Sequence, residues 1–345
     1  MSTAPNNAST PPDPRDRAAA SLYGLAIGDA LGMPTQMLSR AQITARYGPV
    51  LTGFHSAPAD HPLAAGMPAG SVTDDTEQAL LLAKLLIDGA GTIDAAELAR
   101  RLAAWEDDMR ARGSLDLLGP STKLAIEQAL AGIPLDQVGK QGTTNGAAMR
   151  IAPVGIATSG ADPEALVDRV VQASMLTHNT GVALAGAAAV AAAVSAGIDG
   201  ATVPEAVAAA VPAARLAVRR GYWVAAADVA ERILWGTTDL IRGLAEEEAC
   251  ERVALLIGTS LATQESVPAA FALLTIAQDD PWRAVLLAAS VGGDCDTIAA
   301  IVGAIAGACH GLDAFPPEAR ATVAKVNRLD LETTADRLIS LREQA

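Results

Sequence analysis

The chain predicts an all-α fold organised as a single domain. Three observations carry that expectation. Half of the 345 residues are hydrophobic, but only 3% are aromatic, and alanine makes up much of the rest. Alanine and leucine favour helices, whereas strands draw on Val, Ile, Thr and aromatic residues. Apolar residues recur with a helical period between Gly and Pro breaks, and no alternating run is long enough for a strand.

The elements follow in order. Residues 1–16, "MSTAPNNASTPPDPRD", are rich in Pro, Ser and Asn and lack the basic start and apolar middle of a signal peptide. They read as a disordered tail before a domain spanning 17–345. The first helix is expected over 17–32, where Gly24, Gly28 and Gly32 share one face and let a neighbouring backbone approach. The stretch 48–72 is long, aperiodic and Pro/Gly-rich, the composition of a lid or of a disordered loop. Further helices are expected over 74–89, 94–111 and 121–131, the last ending at "AGIPLD". After "TSGADPE" come 163–175 and 179–196, and after "DGATVPE" come 203–219 and 222–234. The helices 266–278, 281–290 and 296–310 follow, and 330–343 lies beyond "AFPPEA". Gly303 and Gly307 repeat the four-residue spacing late in the chain. Close packing is sufficient to explain these glycines. The run 181–197 approaches the length of a membrane span, but its alanine content reads as a central buried helix.

Charge and cysteine content narrow the function. The net charge of −14 argues against a nucleic-acid backbone or an anionic membrane as partner. Cys250, Cys295 and Cys309 are odd in number and form no CxxC pair, which fits a reducing cytoplasm. Four histidines without an HExxH leave little material for a zinc site.

Two acidic stretches point to chemistry. In "GSVTDDTEQALLLAKLL", residues 70–86, Thr73, Asp74 and Asp75 precede an apolar-periodic helix. In "SVGGDCDTIAAIVGAIAGACHG", residues 290–311, Asp294, Asp296 and Thr297 do the same. Helix capping explains each alone: Asp74 with Glu77 forms a capping box, and Asp296 with Thr297 a simple cap. The helix dipole lowers a carboxylate's pKa, so all four acids are expected to be ionised at neutral pH. If the two starts meet in space, four negative charges converge, which is tolerable only with cations between them. Asp and Thr oxygens suit Mg²⁺ or Mn²⁺, and four carboxylates are enough for two ions. Cys295 lies between these acids, and its side chain is expected to point elsewhere.

Five segments in order resemble the ADP-ribosylglycohydrolase family: "GLAIGDALGMPTQ", "SVTDDTEQALLLA", "TTNGAAMRIAPVG", "LTHNTGVALAGAAAV" and "VGGDCDTIAAIVGAIAGACHG". The resemblance runs from about residue 17 to 315. It implies an all-α domain with a binuclear Mg²⁺ or Mn²⁺ centre held by Thr73, Asp74, Asp75, Asp294, Asp296 and Thr297. Asp75 and Asp296 are then the catalytic carboxylates. The implied reaction cleaves the bond between the anomeric carbon of ADP-ribose and a protein side chain, arginine being the expected acceptor, or a small acceptor. The metals would hold the ribose diol and the attacking water, and the negative charge suits an oxocarbenium-like transition state.

By the same resemblance "QGTTNGAAMR", residues 141–150, wraps the diphosphate and distal ribose, with Gly142, Thr143, Asn145 and Gly146 as substrate contacts. As bare sequence, these residues read equally well as a turn before Met149. His178 matches a family histidine near the substrate, though a lone His before a helix is also a common cap or core residue. One departure stands out. Many relatives carry Glu where this chain has Gln36, and an amide cannot accept a proton as a carboxylate does. Two alternatives therefore stay open: a glycosidase of a smaller riboside or nucleoside, and a non-catalytic ADP-ribose-binding protein. "LGPSTKLAIEQAL", residues 118–130, resembles a bacterial branch of the family and favours the former.

Overall fold

Four-residue glycine spacing determines the centre of the molecule. In the computed structural model, which describes residues 13–114 and 118–344, the helix Pro14–Gly32 lies along the helix Cys295–His310. A Cβ on Gly24 would stand 2.0 Å from the Gly303 carbonyl oxygen, and one on Gly28 2.0 Å from that of Ala299. Gly307 meets Ala20 in the same way at 2.1 Å. The backbones touch, and no side chain larger than hydrogen fits between them.

Seventeen α-helices appear among the described residues, and the only β-pairings are three isolated bridges. The helices surround one large apolar core, with two smaller clusters beside it. The helix Gly181–Ile198, long and apolar enough to cross a membrane, is 94% buried inside the protein. Arg17, itself buried, donates to the carbonyls of Gly197, Ala308 and Cys309. One guanidinium thus satisfies the C-terminal ends of the helices Gly181–Ile198 and Cys295–His310, where carbonyls lack intrahelical partners.

The expected helices recur with shifted ends. The first begins at Pro14, inside the expected tail, because Asp13 accepts from the Arg15 amide and Pro14 suits a first turn. Residues 1–12 of that tail lie outside the described residues. The element expected over 222–234 is instead Val229–Thr237, started by Asp228 capping the Glu231 amide. Helices not expected include Arg40–Tyr47, Glu246–Arg252 and Pro317–Asn327. Residues 48–73 form neither helix nor strand. Within that loop His61 is buried, and its Nε2 lies 3.0 Å from the Gln36 carbonyl oxygen. Its Nδ1 accepts from the amides of Leu63 and Ala64, so Nε2 carries the proton and donates to Gln36.

Candidate active site

The two acidic helix starts meet. The helices Asp74–Asp88 and Cys295–His310 bring their N-termini to a cavity of about 350 Å³. Asp74, Asp294, Asp296 and Thr297 line it, together with Gln36, Asn145, Gly146 and His178. Asp75 lies directly behind, fully buried, with its Oδ2 3.4 Å from both the Thr73 and the Thr297 hydroxyls. Its Oδ1 is buried without a hydrogen-bond partner.

Neither start is capped as a solitary helix would be. Thr73 occupies the N-cap position but makes no capping bond from its side chain. Glu77 does not reach back to Asp74, and instead accepts from Trp105 Nε1 at 2.6 Å and from Arg112 at 2.8 and 2.9 Å. The capping box is therefore absent. The cap comes from another helix: Asp29 accepts from the amides and hydroxyls of both Thr73 and Thr76. At the second start Asp294 holds the N-cap position without capping. It accepts from Asn145 Nδ2 at 2.5 Å and also from Thr297.

Burial works against the expected ionisation at two of the four acids, Asp294 and Asp75. It pushes Asp294 up to about 6 and Asp29 to about 7, despite the hydrogen bonds each accepts. Asp75 is held well above the ordinary carboxylate range by burial first, then by the charges of Asp74, Asp296, Asp29 and Asp294. Desolvation and mutual repulsion outweigh the helix dipole, whose benefit is about 0.3–1 kcal/mol per group.

A glycine pair makes the second start possible. Gly292 and Gly293 have φ of +92° and +78°. A Cβ on Gly293 would stand 2.3 Å from the Thr259 carbonyl oxygen. Gly293 also forms an antiparallel bridge with Leu38, which holds Gln36 and Met37 against the acidic turn. Gln36 is buried, and its Nε2 has no partner. The Cys295 sulfur accepts the Gly292 amide at 3.2 Å, which occupies it locally, as its place between the acids led us to expect.

The 141–150 segment divides. Asn145 and Gly146 reach the cavity, and a Cβ on Gly146 would stand 2.9 Å from the His178 ring. Gly142 does not line the cavity; it packs on the Thr177 backbone, and its carbonyl accepts from the Thr180 hydroxyl. The Thr143 carbonyl pairs with Thr263, and Thr144 lines the cavity in its place. His178 is buried, and burial together with the Arg150 charge depresses its pKa to about 3, so the ring is neutral. Arg150 was not singled out from the sequence. It lines the cavity, is 1% exposed and donates to Gln78 and Thr177. An arginine at the end of an apolar "AAMR" was the available signal. Leu118, Gly119 and Thr122, from the segment that resembles the bacterial branch, also line the cavity.

An all-α domain with facing acidic helix starts over one cavity defines a class, and the comparisons name it. The ADP-ribosylglycohydrolase family model matches residues 10–345, and the chain belongs to that family. It is 35% identical to Escherichia coli YegU, a protein named as uncharacterised, over 95% of this chain and 98% of that one. It is 29% identical to Tri1 of Pseudomonas putida, named an ADP-ribosylarginine hydrolase, over 90% of this chain and 74% of the relative. A solved structure named an ADP-ribosylglycohydrolase-related protein complex shares the fold, with a TM-score of 0.67. That match is 24% identical and covers 95% of this chain and 99% of the other. Membership supports a hydrolase acting on ADP-ribosyl groups, in a family known in general for metal dependence.

The residues present fit a metal in their chemistry. The donors are hard oxygens, and a buried carboxylate oxygen without a partner, Oδ1 of Asp75, lies among them. Among the described residues no three His, Cys, Asp or Glu side chains are gathered into a ready-made cage.

Proposed function

We propose that the protein hydrolyses the glycosidic bond joining ADP-ribose to an acceptor, with an arginine side chain as the acceptor. Two divalent cations, Mg²⁺ or Mn²⁺, are proposed to be held by Thr73, Asp74, Asp75, Asp294, Asp296 and Thr297. The observation that carries this reading is the convergence of three carboxylates, Asp74, Asp294 and Asp296, from helix starts 220 residues apart (294 − 74), on one cavity that also holds Asn145 and His178, with Asp75 buried directly behind them. The Tri1 relative, by its name, supports arginine. Three buried free thiols support a cytoplasmic location.

Bound there, the cations would neutralise the acids and activate water as Lewis acids. The remaining roles belong to the chain. Asp75, buried behind the cavity with Oδ1 free of other partners, would take the proton of the attacking water once the site opens to substrate. Asp296, on the facing helix, supplies negative charge against the developing oxocarbenium ion. The Asn145 amide fixes the Asp294 carboxylate. Gln36 offers its free N–H to a substrate oxygen but takes no proton. His61 ties the 48–73 loop to the Gln36 backbone and so steadies one side of the cavity.

The test is release of ADP-ribose from ADP-ribosyl-arginine with Mg²⁺, with Mn²⁺ and with a chelator, alongside a panel of plain ribosides. No release from any ADP-ribosyl substrate would overturn the reading. A second reading, hydrolysis of a smaller riboside, is favoured by Gln36: its free amide selects a neutral hydroxyl where many relatives have a carboxylate. Turnover of the plain riboside alone would establish it.

A further inference from the structure

Four side chains form one hydrogen-bonded chain along the cavity wall. Arg150 Nη2 donates to Thr177 Oγ1 at 2.7 Å. Thr177 Oγ1 lies 2.7 Å from His178 Nδ1, and His178 Nε2 lies 3.0 Å from Thr144 Oγ1. The first three residues are buried, and Thr144 is at the cavity wall.

The direction of every proton follows from the arginine. A guanidinium only donates, so Thr177 must accept from it. The Thr177 side chain is fully buried, and the nearest acceptor for its own proton is Nδ1 of His178. Reversing that bond would leave a buried hydroxyl proton without an acceptor. The ring is neutral, since burial and the adjacent Arg150 hold its pKa near 3. A neutral imidazole that accepts at Nδ1 carries its proton on Nε2 and gives it to Thr144. The Thr144 hydroxyl proton is then the one left over at the end of the chain.

We infer that Arg150 is a positioning residue. Through Thr177 it fixes His178 as the Nε2–H tautomer and so turns the Thr144 hydroxyl into a donor toward an acceptor oxygen of the substrate. Only this last step rests on the reading of the cavity as the substrate site. The carboxylates of the same cavity accept without any such arrangement, and the Thr144 hydroxyl adds a donor to them.

The experiment reads the tautomer directly. Long-range ¹H–¹⁵N spectra of ¹⁵N-histidine-labelled protein, with His178→Gln to assign the signal, should show a protonated Nε2 and an unprotonated Nδ1. Thr177→Ser should keep that pattern, and Thr177→Val should lose it with unchanged circular dichroism. In a parallel titration with ADP-ribose, Thr177→Val and Thr144→Val should bind about three- to tenfold more weakly, the loss of one neutral hydrogen bond. Thr177→Ser and Thr144→Ser should bind as the wild type does. Arg150→Gln, whose amide can accept as well as donate, should mix the two tautomers. A wild-type His178 protonated on Nδ1, or a Thr177→Val spectrum like the wild type, overturns the relay. If the wild type binds no ADP-ribose, the substrate reading fails, and the spectra still decide the relay.

Discussion

The seam and the mouth of the central helix pair obey opposite rules. Along the seam, Gly24, Gly28 and Gly307 bring two backbones into contact, with no charged side chain between them. At the mouth, a Cβ on Gly32 would stand 2.4 Å from Asp296 Cα, and there the same pair gathers acids that burial holds partly protonated. The seam is optimised for stability. The mouth is optimised for something else, because isolated buried charge is costly and persists only where it is used. Asp29 sharpens the contrast: it neighbours Asp75 and is as deeply buried, yet it accepts from four groups while Asp75 keeps one oxygen free. We read Asp29 as a structural acid and Asp75 as a reactive one.

That contrast can be broken most forcefully at the seam. Gly28→Val places a branched side chain against the Ala299 carbonyl, where only backbone could yield. It should cost about 4 kcal/mol or more and leave little folded protein, as scored by thermal melts and soluble yield. A Gly28→Val protein melting within a few degrees of wild type would show that the seam is looser than described.

At the mouth the expectation is inverted. Asp75→Asn should reduce kcat/KM by about 10³-fold or more, while the metal-free melting temperature stays level or rises as repulsion is relieved. A large fall in melting temperature would place Asp75 with the structural acids. Asp29→Asn should do the reverse, costing about 2–3 kcal/mol of stability because an amide nitrogen would face donors. Equal effects of the two substitutions would erase the distinction.

The pH dependence follows from the same acids. Asp294 is raised to about 6 and Asp29 to about 7, from an ordinary value of 3.8. Between about pH 4 and pH 7 the folded protein keeps protons that the unfolded chain has released, so stability falls as pH rises through that window. Melting temperatures in chelator should therefore decline across it, and added Mg²⁺ should flatten the decline. A rise instead would mean that these acids are ionised well below the window. The smallest effect is expected at Gln36, where Gln36→Ala loses one neutral hydrogen bond and about threefold to tenfold in rate.

Much of this was legible in the sequence, for reasons that also mark the limits. Ala/Leu periodicity and Gly/Pro breaks report local preference, and most long helices appear where they were expected. Helices that were missed are short or polar; Arg40–Tyr47 carried its signal in the Ser39 and Gln42 capping box. The facing aspartates were readable because paired acids at a helix start are conspicuous. Burial raises Asp75 and Asp294 against the expected lowering, because a helix dipole is local and desolvation is not. Asp29 and Arg150 stayed hidden for the same reason. A single charge in an apolar helix declares neither its depth nor its partner, and the partners here are 44 and 27 residues away.

The seam has a consequence for the order of synthesis. The face of the first helix that carries Gly28 is covered by residues around Ala299, which leave the ribosome 271 residues later (299 − 28). At ordinary elongation rates that interval is on the order of tens of seconds. Throughout it the glycine face of the first helix lacks the backbone it packs against, and Arg17 waits for carbonyls at 308 and 309. Long-range closure of this kind is slow and leaves the incomplete chain open to misassembly. That seam therefore closes only after residues 295–310 have been made, and truncation before residue 295 would remove the partner that the first helix was made to meet.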